Sequence, residues 1–530
     1  HAGLRKSMPA MMVAAGMVLS RFAGFIRTYF FTRYLGTSTI EAEAFNQAAR
    51  IPNFLQNLLG EGVLSASLIP VYSGMLVRQQ QEEADRVARA VLGMLVLITS
   101  IVVLISVVFT EQLMPFFAWG FVGEERALTL HLVRIIFPGI ALLVFSAWCL
   151  AILNSHHRFF LAYVAPVLWN AGLLGALLFG PHNDPRTLVT WVAWGFVIGS
   201  ALQFGVQVPA LWRIMAPTWT RRRHEINEHV REIVSSSIPV FFSRGVVQVS
   251  AYIDSQIATK LPFLGAVSAL TYAQQLFQLP VGLFGMAVSS AALPSMSAAV
   301  SNDLPDLLRE RLLGSQRAIA VLVIPSMIGF LAFGDVMVAL LYQHGKTTHQ
   351  DTLLIWATLA GSSVGLLSTT IARLYSAAFY AIKDTRTPMR FAVIRVAIVS
   401  VLGYLLAIVI PPLLRLTPEQ HRYATAGLTV SAGLAGWVEF ALLRRALQQR
   451  LGAVGIPLSF LFKTWLVAVI AALPATALRW ALPAHLVLIR GLVILNAYGW
   501  VYLALAHVSG LLGFGEVIRL LTRGRRRKST

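Results

Sequence analysis

Long apolar runs follow one another along this chain almost without interruption. A helix crosses a bilayer in roughly 20 mostly apolar residues. Stretches of that kind lie near 8–34, 44–76, 90–111, 129–153, 159–180, 188–213, 234–258, 265–300, 316–342, 352–381, 391–412, 424–443, 457–478 and 485–511. In hydrocarbon every backbone polar group must be satisfied within the segment, so such runs become helices. The expected fold is an all-α integral membrane protein with about fourteen transmembrane helices, several of them long enough to tilt or bend. The longest connection is near 214–233, which leaves no room for a soluble domain. Composition agrees: 57% of the residues are hydrophobic and 12% are charged, against about 25% charged in soluble domains.

The formal net charge of +20 is the sort that nucleic-acid binding proteins carry, but topology accounts for it first. With the N-terminus in the cytoplasm, the inner connections include "RQQQEEADRVAR", "NSHHRF", "TRRRHEINEHVRE", "NDLPDLLRER", "KDTRTPMR" and "LLRRALQQR", and the tail is "TRGRRRKST". Roughly 26 Lys and Arg then lie inside against about 8 outside. No nucleic-acid partner is expected. The first apolar run is too long for a signal peptide, carries Arg21 and lacks a small-residue cleavage site. The single cysteine, Cys149, excludes an intrachain disulfide and a cysteine-built metal site.

A weak repeat divides the chain. "LSRFAGFIRTYF" (19–30) is similar to "FSRGVVQVSAYI" (242–253), pairing Arg21 with Arg244. "EGVLSASLIPVYS" (61–73) is similar to "GMAVSSAALPSMS" (285–297), and "ARIPNFL" to "FQLPVGL". The copies lie six helices apart, an even offset that keeps orientation, so an axis along the membrane normal relates the halves. The expected organisation is an N-lobe of six helices over 1–213, a basic linker over 214–233 and a C-lobe of six helices over 234–450. Two extra helices over 451–521 and a basic tail over 522–530 complete it.

The intramembrane charges are the candidate functional residues. Arg21 lies about 20 Å by helical rise from the inner end of the first helix, too deep to snorkel easily. Arg27 is about 9 Å further out. The second helix adds Glu43, Arg50 and Glu61, the seventh Arg244 and Asp254, and the tenth and eleventh Arg373 and Arg395. Such charges face a bundle interior or a watery cavity. Mutual pairing that only holds helices together is the structural alternative. In the first two helices arginines outnumber carboxylates, which points to an anionic ligand. For Arg27, Arg134 and Arg373, snorkelling to an interface competes. Pro52, Gly60, Gly62 and Pro70, and then Pro280, Gly282, Gly285 and Pro294, gather in the second and eighth helices. Interrupted helices at matching positions of two halves mark a transport site or a hinge, with helix-packing glycines as the alternative.

Catalytic motifs are scarce. "HGKTT" (344–348) ends like a phosphate-binding loop, but Leu340 stands where its first glycine is needed. "HH" at 156–157 reads as a solvated turn. No close carboxylate pair stands at a membrane face, as a lipid-linked sugar transferase needs.

"SRFAGFIR", "EAFNQAARIPNFLQNLLGEGVLSASLIPVYS", "YAQQLFQLPVGLFG" and "FYAIKDTRTPMR" together resemble the MurJ (MviN) family of lipid II flippases. The resemblance implies the multidrug/oligosaccharidyl-lipid/polysaccharide exporter fold: two lobes around a cavity, and two last helices forming a groove for a polyprenyl tail. It implies lipid II, undecaprenyl-diphosphate carrying the peptidoglycan disaccharide-pentapeptide, as the substrate, alternating access as the mechanism, and the bacterial inner membrane, with both termini cytoplasmic, as the location. Membrane lipids and the cell-wall synthesis machinery are the implied partners. Arg21 and Arg27 match the family's cavity arginines, Glu43 stands where an aspartate is usual, Glu61 matches a glutamate and Arg50 a basic position. Departures are Thr28 for an aspartate, Gln56 for an arginine, Gln275 for the helix 8 arginine and Gln278 for a glutamate. Arg244 would then supply the charge that helix 8 lacks. No cofactor is implied. Cation coupling is compatible with the family, whose members can bind sodium; Asp254 matches one ligand position, but Arg395 on helix 11 argues against a sodium site and is itself a candidate partner for Asp254.

Three other functions compete. Another exporter of the same fold, moving a different polyprenyl-linked glycan or a drug against cations, is favoured only by the helix 8 departures. A membrane transferase lacks its carboxylates, and a scaffold has no need for deep arginines.

Overall fold

The computed structural model describes residues 2–59, 61–156, 158–219, 228–301, 304–382, 384–415, 417–483 and 486–512. Among these there is helix and no strand. The helices are α1 (Ala2–Leu35), α2 (Ile40–Leu59), α3 (Glu61–Val77), α4 (Gln81–Val108), α5 (Thr110–Phe117), α6 (Gly123–Ser155), α7 (Phe159–Phe179), α8 (Pro185–Gly205), α9 (Val208–Trp219) and α10 (Glu228–Thr259). They continue with α11 (Ala266–Pro280), a π-helix (Val281–Met286), α12 (Ala287–Ser301), α13 (Pro305–Tyr342), α14 (His349–Ser363) and α15 (Leu366–Ala381). Then come α16 (Arg386–Tyr404), a second π-helix (Leu405–Val409), the short α17 (Ile410–Leu413) and α18 (Pro418–His421), and the long α19 (Ala424–Leu451), α20 (Leu458–Ala481) and α21 (Val487–Val508).

The described residues of the predicted segments are mostly helical, but the helices do not number fourteen, and several segments hold more than one. By length and hydropathy eight of the described helical segments qualify as crossings, or nine if the pair α14 and α15, bent by 45°, counts as one. The breaks have identifiable causes. Pro52 lies inside α2, whose last described residue is Leu59. Pro280 ends α11 where the backbone widens into the first π-helix, which contains Gly282. Gly365, between α14 and α15, packs its backbone on that of Gly433, leaving no room for a Cβ. A π-bulge, a proline or a glycine is the usual origin of a sharp bend. Two connections are shorter than expected: most of "RQQQEEADRVAR" is the first turns of α4, and α16 begins at Arg386 rather than near 391.

The chain forms two compact units that divide inside α10, between Tyr252 and Ile253. In the first, α7 packs on α8 and α1, and α6 packs on α2, α4 and α8. In the second, α19 is flanked by α14, α15 and α16, α13 packs on α14, and α11 and α12 lie on α14 and α15. The pairings α6 with α8, α7 with α8 and α2 with α6 thus recur as α15 with α19, α16 with α19 and α11 with α14, in the order the sequence repeat requires. The last two helices belong to the second unit. The α20 residue Arg479 donates to both carboxylate oxygens of Asp335 on α13, at 3.3 and 2.6 Å. On α21, Tyr498 donates to the carbonyl of Pro325 at 2.8 Å.

Helix starts explain two motifs. The phosphate-loop-like "HGKTTHQD" is the cap of α14: Thr348 accepts from the Asp351 amide, and Asp351 accepts from the Thr348 amide, a reciprocal capping box. The "KDTRTP" loop is built around Asp384, which accepts from the amides of Arg386 (3.1 Å) and Thr387 (3.0 Å), the Thr387 hydroxyl (2.7 Å) and the Arg450 guanidinium (2.7 Å). Partial desolvation raises the Asp384 carboxyl, and these donors more than reverse it, holding it at about 2. Its folded value lies below the unfolded one, so its stabilisation is present above about pH 4 and is lost as pH falls through about 2. Hydrogen-exchange protection of the Arg386 and Thr387 amides is therefore expected to persist at pH 3 and to drop below pH 2. In Asp384→Asn it should already be weakened severalfold at pH 7, and unchanged protection there would contradict the clamp.

Candidate functional site

The deep charges of the first unit sit on two helices with different supports. α1 packs along α7, which meets it at Gly24 and Arg27. Arg27 is half-buried, and its guanidinium lies 5.1 Å from the centroid of the Trp169 ring on α7. A guanidinium over an indole face is attracted by the ring quadrupole, more strongly when desolvated, so Trp169 on α7 helps to position Arg27. Thr28, one residue on, is buried and donates back to the Gly24 carbonyl at 2.9 Å. Asn170 is buried beside Gly24; its amide donates to the Pro166 carbonyl at 3.0 Å, and its Oδ1 has no hydrogen-bond partner among the described residues. Sequence reading missed Trp169 and Asn170. The signal available was an amphipathic pair inside an otherwise apolar helix.

Arg21 is exposed, and so are its neighbours Val18 (62%), Leu19 (47%) and Phe22 (62%). This flank of α1 is open in the first unit, and it carries a charge at mid-helix. On α2, Glu43 is only 2% exposed and Arg50 is half-buried. Gln47, between them, is fully buried and donates to the Phe117 carbonyl at 2.6 Å, tying α2 to the end of α5. Gln56 is half-buried. Pro52 is buried in mid-helix. Gly60 and the side chains of Glu61 and Arg244 lie outside the described residues; the backbones of Glu61, Gly62 and Arg244 are helical.

In the second unit Gln275 and Gln278 are half-buried on α11, just before the π-helix. Asp254 is half-buried on α10. Among the described residues no three His, Cys, Asp or Glu side chains converge on a common point, so a cation at Asp254 would need neutral oxygen ligands. The suggested pairing of Arg395 with Asp254 is corrected: Arg395 Nη1 donates to Glu439 Oε2 on α19 at 3.0 Å. The reason is helix order, since α16 lies along α19 and brings the two residues level. Arg373 on α15 is close enough to feel both charges. Glu439 escaped the sequence reading because it stands alone in "AGWVEFALL", near enough to the basic "RR" to pass for a helix end.

Two smaller readings also change. His156 stands in the turn after α6, half-buried, with its Nε2 3.0 Å from the Tyr72 hydroxyl, which donates to the buried Asp85 at 2.8 Å; His157 lies outside the described residues. Arg134 is exposed, as snorkelling requires, with its Nε donating to Thr110 at 3.4 Å.

Apolar helices in two units with recurrent pairing, and an exposed arginine in the middle of a long apolar helix, define a multi-pass membrane transporter. Comparison with known proteins narrows the class. The family model "Lipid II flippase MurJ" matches residues 31–506, and the chain belongs to that family. The probable lipid II flippase MurJ of Rhizobium meliloti (strain 1021) is 30% identical over 475 residues, 87% of this chain and 83% of that protein. The lipid II flippase MurJ of Burkholderia cenocepacia is 28% identical over 452 residues, 83% of this chain and 84% of that protein. Among solved structures, a lipid II flippase MurJ in an inward closed conformation shares the fold with a TM-score of 0.78, at 23% identity, over 94% of this chain and 98% of that one. An inward-facing multidrug resistance MATE family transporter of the MOP superfamily shares it at 0.67, with 14% identity, over 83% of this chain and 98% of that one.

Proposed function

We propose that this protein moves lipid II from the inner to the outer leaflet of the bacterial cytoplasmic membrane by alternating access, with both termini cytoplasmic. The observation that carries the reading is the exposed Arg21 in the middle of a long apolar helix. A guanidinium facing hydrocarbon at that depth costs several kcal/mol or more, so the open flank of α1 borders water. An arginine at a watery, mid-membrane wall suits an anionic headgroup that must cross, and its planar fork matches diphosphate oxygens. Arg27, Glu43, Arg50 and Glu61 are the other headgroup residues proposed in the first half of the sequence, and Arg244, Gln275 and Gln278 those proposed in the second. Pro52, Gly60, Gly62, Pro280 and Gly282 are the proposed hinges, and the exposed apolar residues of α20 and α21, among them Phe462, Leu473, Leu488 and Leu492, take the polyprenyl tail. The N-lobe spans 1–213 and the C-lobe 234–450. Cell-wall synthesis proteins are the expected partners.

The test is complementation of a bacterium depleted of its own flippase, with lipid II accessibility at the outer face as the readout. Restored accessibility is the expected result; growth arrest despite normal membrane insertion would sink the assignment. Sodium-independent transport is expected in the same assay, and dependence on sodium would restore Asp254 as a cation ligand.

A further inference from the structure

The second unit holds a cluster with one charge too many. Arg395 on α16 pairs with Glu439 on α19, and Arg373 on α15, a helix that also packs on α19, lies within electrostatic reach of both. By helical rise the three residues lie about 12, 14 and 18 Å from the ends of α15, α16 and α19 that join the inner connections. One carboxylate answers two guanidiniums. The single ion pair is Arg395 Nη1 to Glu439 Oε2 at 3.0 Å, with side-chain exposures of 24% and 11%. Arg395 Nε is buried without a hydrogen-bond acceptor. Arg373 makes no hydrogen bond or ion pair among the described residues and is half-buried.

A structural ion pair has no use for the second arginine. An uncompensated charge held this deep lowers stability unless something neutralises it. Two forks with an orphaned Nε offer more donors than one carboxylate can accept, and a phosphoryl group, with several charged oxygens in tetrahedral array, can bridge both. We propose that Arg373 and Arg395 form an intramembrane binding site for a phosphoryl oxyanion, in which Glu439 is the resident counter-ion that the ligand displaces. The site belongs to the second unit alone, whereas the arginines of α1 and α2 belong to the first. It extends the proposed function by a second phosphoryl subsite, yet anion binding by the cluster does not require that function.

The test is equilibrium binding of radiolabelled inorganic pyrophosphate to the purified full chain in magnesium-free buffer, with an Arg21→Gln/Arg27→Gln variant used to remove the contribution of α1. In that background Arg373→Gln and Arg395→Gln are each expected to weaken binding at least tenfold, whereas Glu439→Gln tightens it severalfold because it removes the competitor. Arg373→Lys, which keeps the charge without the fork, is expected to fall between. Unchanged binding in Arg373→Gln would overturn the proposal, as would Glu439→Gln weakening binding alongside the arginine variants, the pattern of a purely structural pair. Competition identifies the source of the phosphoryl group. Displacement by phosphatidylglycerol in nanodiscs assigns the site to a bilayer lipid, displacement by undecaprenyl diphosphate alone assigns it to the transported lipid, and displacement by neither leaves the free anion. Binding is read without transport, so failed complementation with intact pyrophosphate binding would remove the flippase reading and spare the site.

Discussion

Arg21→Ala is expected to lower lipid II flipping by about a hundredfold or more while leaving the protein inserted and folded. The size follows from losing one bidentate, charge-assisted contact, about 3 kcal/mol, at roughly 1.4 kcal/mol per tenfold. The fold should survive because the Arg21 side chain is exposed and α1 is held through its packing on α7. Arg21→Lys is expected to fail nearly as badly, since an ammonium is a point charge without the planar fork. Outer-face accessibility of lipid II in a flippase-depleted strain measures both. A rate like that of the wild type in Arg21→Ala would remove the proposed headgroup contact, and full activity in Arg21→Lys would show that charge alone suffices.

The largest structural effect is expected at the crossing of α7 and α8. A Cβ on Gly199 would meet the Trp169 carbonyl oxygen at 2.5 Å and its Cα at 3.0 Å, and one on Gly172 would meet the Gly199 Cα at 2.5 Å. These partners are backbone, so only separation of the helices makes room. Small residues at such crossings let membrane helices approach closely, and overpacking a filled site costs about 1–3 kcal/mol, occasionally more. Gly199→Ala should therefore lower the unfolding temperature, and Gly199→Leu should leave little folded protein. Gly199→Ala should also reduce flipping, because Trp169 is the ring on which Arg27 rests. Gly175→Ala on α7 is the control: nothing lies within 4 Å of its Cβ, and the higher helix propensity of alanine makes it neutral or slightly stabilising. Equal destabilisation by both alanines would mean that the effect is one of glycine content and not of the crossing.

Apolar run length determined by itself that this chain is helical and multi-pass, because unsatisfied backbone in hydrocarbon permits little else. Loop charge set the expected orientation, and the paired motifs around Arg21 and Arg244 announced the repeat that the recurring helix pairings bear out. Depth along a helix is also a one-dimensional quantity, which is why Arg21 could be singled out from residue number alone. Azimuth and partners are not. Only the tertiary structure decided that Arg27 lies on Trp169, that Arg395 meets Glu439 and not Asp254, and that Arg373 joins them. Each of these contacts depends on which helices lie side by side. In lipid that choice is made by close packing at positions such as Gly172, Gly199, Gly365 and Gly433, where fractions of an ångström between backbones decide the neighbours and the hydrophobic pattern, nearly uniform around each helix, carries almost no information.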